Sequence, residues 1–212
     1  MIRKHVVISG TGRAGTSFLV ELLTHLGLDT GYSIEDIAKH KSKAARAGLE
    51  HDIRRDNSPY IVKSPYFCEH ADEVLDRGDI VVEHIFVPMR DLHAAAESRR
   101  FVTRETVSSM PLLKRICYTF FPKTLAGGIW HTEQGKDQES VLLEQVYKLA
   151  LSVSKKTVPI TLLQFPQLVK DASYLYEKLQ PLVGDTSFYE FEAAFDKVAN
   201  RDLVHSFSAN DR

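Results

Sequence analysis

An α/β fold, three layers with a mostly parallel central sheet, is what this 212-residue sequence predicts. Three observations carry that expectation. Short apolar runs rich in β-branched residues alternate with longer segments of helical period, the pattern of strand–helix–strand units. The first such run, Val6-Val7-Ile8, passes through a glycine-rich stretch directly into an amphipathic helical segment. Apolar residues make up 43% of the chain and the formal net charge is −1, which suits a globular core and supplies no basic field to attract nucleic acid. The length fits one domain over 1–212, and no repeat, low-complexity tract or linker divides it.

The first unit runs from Val6 to Leu26. Gly10, Gly12 and Gly15 let the backbone turn tightly and approach a ligand, Arg13 places a cation at the loop tip, and Thr16 and Ser17 bring hydroxyls to the first helical turn. Phe18, Leu19, Leu22, Leu23 and Leu26 share a helix face, so the helix packs on the sheet and its N-terminus meets whatever the loop holds. This arrangement surrounds a phosphate with backbone N–H donors at the carboxyl end of the first strand, and a phosphorylated nucleotide is the expected ligand. Gly10-x-x-x-x-Gly15 is followed by Thr16, where an ATP-binding loop carries its lysine, which disfavours an ordinary kinase or ATPase. Gly10-x-Gly12-x-x-Gly15 also has dinucleotide spacing with Asp29 at the ribose position, but Leu28-Asp29-Thr30-Gly31 makes a poor second strand.

Gly27 caps the first helix, and a second helical segment runs from Ser33 to about Ala47, started by Ser33 and Asp36 as a loose capping box. Its basic residues, Lys39, His40, Lys41, Lys43 and Arg46, read either as a solvated face or as a substrate patch. Glu50, His51 and Asp52 follow as a group of proton acceptors between two elements, which reads either as surface decoration or, if the fold brings it to the phosphate loop, as part of a site. Tyr60-Ile61-Val62 reads as the second strand. Pro65 prevents its continuation, so Lys63 stands at the strand's carboxyl end, where open α/β sheets place their ligands. Tyr66 to Arg77 reads as a helix ending at Gly78. Ile80 to Met89 is the third strand with Arg90 at its carboxyl end, and Asp91 caps a helix that carries Ser98.

Arg99 to Gly128 is basic and aromatic without an alternating run, which predicts a helical lid inserted at about 99–130 that shapes an acceptor site. Trp130 reads either as core packing or as a ligand contact, and His131 is a reserve candidate for a base. A long helix over Glu139 to Ser154, a fourth strand over Val158 to Phe165, a helix over Ala172 to Gln180 stopped by Pro181, and a last helix over Phe188 to Leu203 complete the chain. Cys68 and Cys117 form no disulfide framework and no CxxC pair, so no metal or redox motif is expected. The apolar run after Met1 to His5 is too short for a secretion signal or a membrane span, and a cytoplasmic protein is expected.

Arg13-Ala14-Gly15-Thr16-Ser17 resembles the phosphosulfate-binding loop of sulfotransferases, in which Lys or Arg, a small residue, Gly and two Ser/Thr follow one another. Lys63-Ser64-Pro65-Tyr66-Phe67 resembles the Lys-Ser/Thr-Pro-x-Tyr-Phe pattern of the glycosaminoglycan-type members with one residue missing. Arg90 and Ser98, eight positions apart, match the family's pair for the cofactor's 3′-phosphate. The resemblance implies transfer of a sulfuryl group from 3′-phosphoadenosine 5′-phosphosulfate to a small-molecule or carbohydrate hydroxyl, or to an amine, without a metal. It implies that Gly12, Arg13, Ala14, Gly15, Thr16 and Ser17 hold the 5′ side, that Arg13 and Lys63 act on the transferring group, and that Arg90 and Ser98 hold the 3′-phosphate. Pro65 stands where cytosolic members carry a histidine base, and glycosaminoglycan-type members carry a glutamate between the first helix and the second strand. Glu50, then His51, is therefore the expected base. Phe165-Pro166-Gln167-Leu168 departs from the family's acidic Glu-x-Leu segment. Two other readings stay open, a P-loop kinase or nucleotide hydrolase with a displaced lysine and a non-catalytic nucleotide-binding module.

Overall fold

A computed structural model describes residues 2–40, 48–120, 125, 127–132 and 134–200. Four strands, β1 (Arg3–Ile8), β2 (Ile61–Lys63), β3 (Ile80–Met89) and β4 (Ile160–Gln164), form one all-parallel sheet in the order β2-β1-β3-β4. Among the described residues eight α-helices connect or follow the strands: α1 (Thr16–His25), α2 (Ile34–His40), α3 (Ala71–Asp76), α4 (Leu92–Ser108), α5 (Leu112–Phe120), α6 (Gln138–Ser154), α7 (Ala172–Val183) and α8 (Phe188–Val198).

Strand alternation sends successive side chains to opposite faces, and the core divides accordingly. Val6, Ile8, Ile61, Phe86 and Leu163 pack with α1, α7 and α8 residues such as Leu19, Leu22, Leu179 and Phe191. Val7, Val62, Ile85 and Val87 pack on the other side with Val74 of α3, Ala95 of α4, and Leu142 and Leu149 of α6. Helices thus cover both faces, an arrangement compatible with three layers. The chain leaves β1 toward β2 through α1, then returns across β1 to β3 and β4 with its connections on the opposite face. The direction of winding reverses between β1 and β3, and their carboxyl ends open a crevice there.

Local chemistry fixes the element ends. After α1, the Gly27 N–H reaches the Thr24 carbonyl and the Leu28 N–H the Leu23 carbonyl, a Schellman closure around Gly27 at φ +77°. Ser33 and Asp36 bond reciprocally at the start of α2, while Lys41, Lys43 and Arg46 lie outside the described residues. The segment after Lys63 is a short 3-10 turn, Phe67–Glu69, before α3 rather than one helix from Tyr66. Helix α7 does not stop at Pro181. It runs to Val183 because Leu179 and Val183 are both buried, and a proline in the final turn costs only that turn's bonding. α8 ends at Val198, and the remainder of the expected last helix, from residue 201, lies outside the described residues.

Of the stretch expected as a lid, residues 99–108 are the end of α4 and Leu112–Phe120 form α5, while the described residues from 125 to 130 are not helical. α4 continues unbroken from Leu92 to Ser108, so Arg99 and Arg100 belong to it. Arg100 is held on its surface by Glu97 (2.6 Å) and Glu139 (2.9 Å). α5 then exposes Leu112, Leu113 and Ile116. Among the described residues no helix is long and apolar enough to cross a membrane.

Candidate functional site

Parallel register brings the site's elements together. Ile8, the last residue of β1, pairs with Lys63 of β2 and Phe86 of β3, so the loop from Ser9 to Gly15 opens between the carboxyl ends of its two neighbours. The Ser9 N–H donates to the Phe86 carbonyl (3.0 Å), which ties the loop's first residue to β3. Arg13 is a non-glycine residue at φ +58°, and Gly15, at φ +94°, is the N-cap of α1. No side chain caps α1 and no acidic residue stands in its first turn, so the positive end of the helix faces the crevice without a built-in anion.

Two arginines hold loop carbonyls. Arg90 donates to the Arg13 carbonyl (2.9 Å), and its guanidinium stacks over the Phe165 ring at 4.8 Å. Arg99 donates to the Thr11 carbonyl (2.5 Å). The Arg13 side chain donates from Nε to Ser98 Oγ (3.1 Å), and Ser98 is buried in α4. Arg13 of the loop motif thus touches both members of the other motif, Arg90 through its carbonyl and Ser98 through its side chain. Burial pulls the guanidinium of Arg90 below its ordinary value, with Asp91 opposing the shift. Asp91 itself caps α4 by accepting from the Ala94 N–H (2.8 Å).

On the β2 side Lys63 is 2% exposed and donates to Ser17 Oγ (2.9 Å), to Glu50 Oε1 (2.8 Å) and to the Gly48 carbonyl. One ammonium thus joins the first turn of α1 to the segment before β2. The His51 N–H donates to the Lys63 carbonyl (3.1 Å), which carries that segment along the strand and sets Glu50 beside Nζ. The Glu50 side chain keeps 38% of its surface open to solvent. The His51 ring turns away from the loop, packs on Tyr32 at 4.8 Å and buries Nε2 without a partner; burial lowers its pKa. His131 meets Glu69 (2.5 Å) on the surface. Asp29 accepts from the Tyr60 N–H (2.8 Å) at the start of β2, the end of the sheet away from the glycine loop, so it is not placed to meet a ribose held there.

Three residues enter the site without having been singled out for it. Tyr66 lies edge-on to Trp130 at 4.3 Å, near enough to Arg99 and Glu50 for both charges to act on its phenol, which burial pushes up. Phe165 packs under Arg90. Arg99 is 4% exposed, donates to the Gly128 carbonyl (2.7 Å) as well as to Thr11, and has an Nε with no partner. The sequence did carry a signal for Arg99. Ala95, Ser98, Arg99 and Val102 follow i, i+3, i+4, i+7, the stripe that faces inward on a helix, and all four are buried.

No family model, curated protein or solved structure matches this chain.

Proposed function

We propose that this chain is a sulfotransferase with a P-loop-type site that moves a sulfuryl group from 3′-phosphoadenosine 5′-phosphosulfate to a hydroxyl or amine of a small-molecule or carbohydrate acceptor. The observation that carries the reading is the placement of Lys63. A lysine from the end of β2, not from the loop, bonds Ser17 in the first turn of α1 and a carboxylate with a solvent-facing side. The residues present suit a polyanionic cofactor. Backbone N–H donors of the loop, the open N-terminus of α1 and the cations Arg13, Lys63 and Arg90 gather there, and the buried Ser9 Oγ has no partner.

Gly12 to Ser17 would hold the 5′ side of the cofactor, and Arg90 with Ser98 the 3′-phosphate. When bound, the cofactor supplies an activated sulfuryl group and the bisphosphate as its leaving group. Arg13 and Lys63 offset the negative charge that builds up during transfer, as the cations of phosphoryl-transfer sites do. Glu50 accepts the proton that the acceptor hydroxyl gives up, and its open side leaves room for that hydroxyl.

Melting curves with adenosine 3′,5′-bisphosphate, ATP–Mg²⁺ and NAD at matched concentrations test the reading. A ligand at 100 times its dissociation constant stabilises the folded state by about 2.7 kcal/mol, enough for a clear shift. The bisphosphate is expected to shift most. A larger shift with ATP–Mg²⁺ would replace the reading with a kinase or hydrolase.

A further inference from the structure

Arg99 is a buried cation whose hydrogen bonds explain its place but not its charge. Its two terminal nitrogens go to main-chain carbonyls, Thr11 O at one end and Gly128 O at the other, and its Nε is unpartnered. Among the described residues the charged or titratable groups that act on it are Tyr66 and Arg13, with no carboxylate, and burial pulls its pKa down to about 10, still ionised at neutral pH. A buried charge without a counter-charge is costly, and carbonyl dipoles offset only part of that cost.

The geometry of the peptide unit sets which side of the loop its N–H groups face. A trans peptide holds its C=O and the following N–H on opposite sides. With the Thr11 carbonyl pinned to Arg99, the N–H of Gly12 is directed away from Arg99. Arg90 acts alike two peptides on, because its bond to the Arg13 carbonyl directs the Ala14 N–H away from Arg90. Arg99 packs so closely behind the loop that a Cβ on Gly12 would lie 2.8 Å from its terminal nitrogen. The same rigid guanidinium also lies 5.3 Å from the ring centroid of Trp130, the chain's one tryptophan.

We infer that Arg99 is a positioning residue that orients the glycine loop toward a tetrahedral oxyanion and couples the filling of that loop to the segment Gly127–Thr132. The oxyanion is a sulfate or phosphate group. The inference rests on the proposed reading only where that group is taken to belong to a nucleotide. A shift of the Thr11–Gly12 peptide on anion capture is shared through one planar group with Gly128 and with the ring of Trp130. Trp130 in turn touches Tyr66, whose phenol stands within reach of the charge of Glu50, so the coupling runs from the loop toward the acceptor side of the site.

Titration of the whole chain with inorganic sulfate, pyrophosphate and adenosine 3′,5′-bisphosphate, followed by melting temperature and Trp130 emission, tests this. In the wild type each bound anion is expected to raise the melting temperature and change the emission together. Arg99→Met removes the charge and both carbonyl bonds, so affinity should fall roughly tenfold or more and the emission change should vanish. Arg99→Lys keeps the charge on a point donor that cannot span both carbonyls. It should bind sulfate more weakly than the wild type and show little emission change, which keeps the inference testable if Arg99→Met does not fold. Sulfate binding that moves both signals, with no effect of the bisphosphate, would sustain this inference and overturn the nucleotide reading. A wild-type melting shift without any change in emission overturns the coupling. An Arg99→Met chain that binds sulfate as the wild type does overturns the positioning role.

Discussion

The side chain of Arg13 donates from Nε to Ser98 Oγ at 3.1 Å, joining the tip of the glycine loop to a helix residue 85 positions away. Arg90, at the carboxyl end of β3, donates to the carbonyl of the same Arg13 at 2.9 Å. The arginine and serine assigned to one phosphate therefore also hold the loop assigned to the other. The two halves of the site are one mechanical unit, and substitutions in one half must be read for effects in the other.

Arg90→Ala illustrates this. Removing a charge-assisted contact worth about 1.5–3 kcal/mol should weaken adenosine 3′,5′-bisphosphate binding roughly tenfold or more. Adenosine 5′-monophosphate, which lacks the 3′-phosphate, should lose only the smaller part that comes through the Arg13 carbonyl. Calorimetric titration of both ligands separates the two contributions. Equal losses would show that Arg90 acts on the loop alone.

The contrast between Lys63 and Arg99 shows what the sequence made legible. Lys63 was readable because Pro65 ends the strand and a strand end in an open α/β sheet is a defined place. Glu50 was readable as an acceptor between two elements, but its contact with Lys63 depends on the His51 N–H running along β2, a tertiary bond with no local signature. By its charge Arg99 reads as part of a basic lid, although its helical period assigns it to the inward face. A buried arginine violates the usual rule that charge goes outside, and such violations concentrate where ligands bind. Pro181 misled in the other direction: burial of Leu179 and Val183 outweighs a local stop signal. The four strands and their order of use were legible because β-branched runs and the turns between them are local; the order β2-β1-β3-β4 is set by packing.

Acid should destabilise the fold through its histidines. His5, His51, His70 and His84 all have their pKa lowered from 6.5, chiefly by burial. The unfolded chain therefore takes up protons first as pH falls, so their contribution to stability is complete above 6.5 and is lost as pH drops through the lowered values. His5 is the most constrained of the four, with Nδ1 on the Pro59 carbonyl (2.7 Å) and a buried, unpartnered Nε2. Melting temperature measured from above neutrality to about pH 5 should fall, and His5→Gln should fall less steeply. A flat profile in the wild type would remove these groups from the account.

Two glycines at similar backbone angles should respond differently to alanine. Gly12 (φ +65°) has Arg99 2.8 Å from where a Cβ would stand, whereas Gly27 (φ +77°) has nothing within 4 Å. Both substitutions carry the left-handed conformational cost of about 1–2 kcal/mol. Gly27→Ala should lower the melting temperature and leave sulfate and bisphosphate binding unchanged. Gly12→Ala should also displace the Arg99 guanidinium and cut binding of both ligands. Wild-type affinity in Gly12→Ala would show that the loop tolerates a shifted Arg99.

Glu50 is the residue on which catalysis, as distinct from binding, should turn. An acceptor hydroxyl loses its proton as it attacks sulfur, and a positioned base typically contributes about 10²–10⁴-fold to rate. Glu50 bonds Lys63 through Oε1 and keeps part of its carboxylate open, so it can receive that proton while its position is held from behind. His51 is turned toward Tyr32 and Gly31, and His131 is paired with Glu69 at the surface, which leaves Glu50 as the acceptor beside the lysine. Glu50→Gln preserves the shape and an oxygen to receive the Lys63 bond but removes basicity. Turnover, followed with labelled 3′-phosphoadenosine 5′-phosphosulfate against a panel of carbohydrate and phenolic acceptors, should fall by about the full range of that contribution. The dissociation constant for adenosine 3′,5′-bisphosphate should stay within about twofold of the wild type, since no uniform binding interaction is removed. Near-normal turnover in Glu50→Gln would reject Glu50 as the base, and a parallel loss of bisphosphate affinity would mean that it serves to hold Lys63.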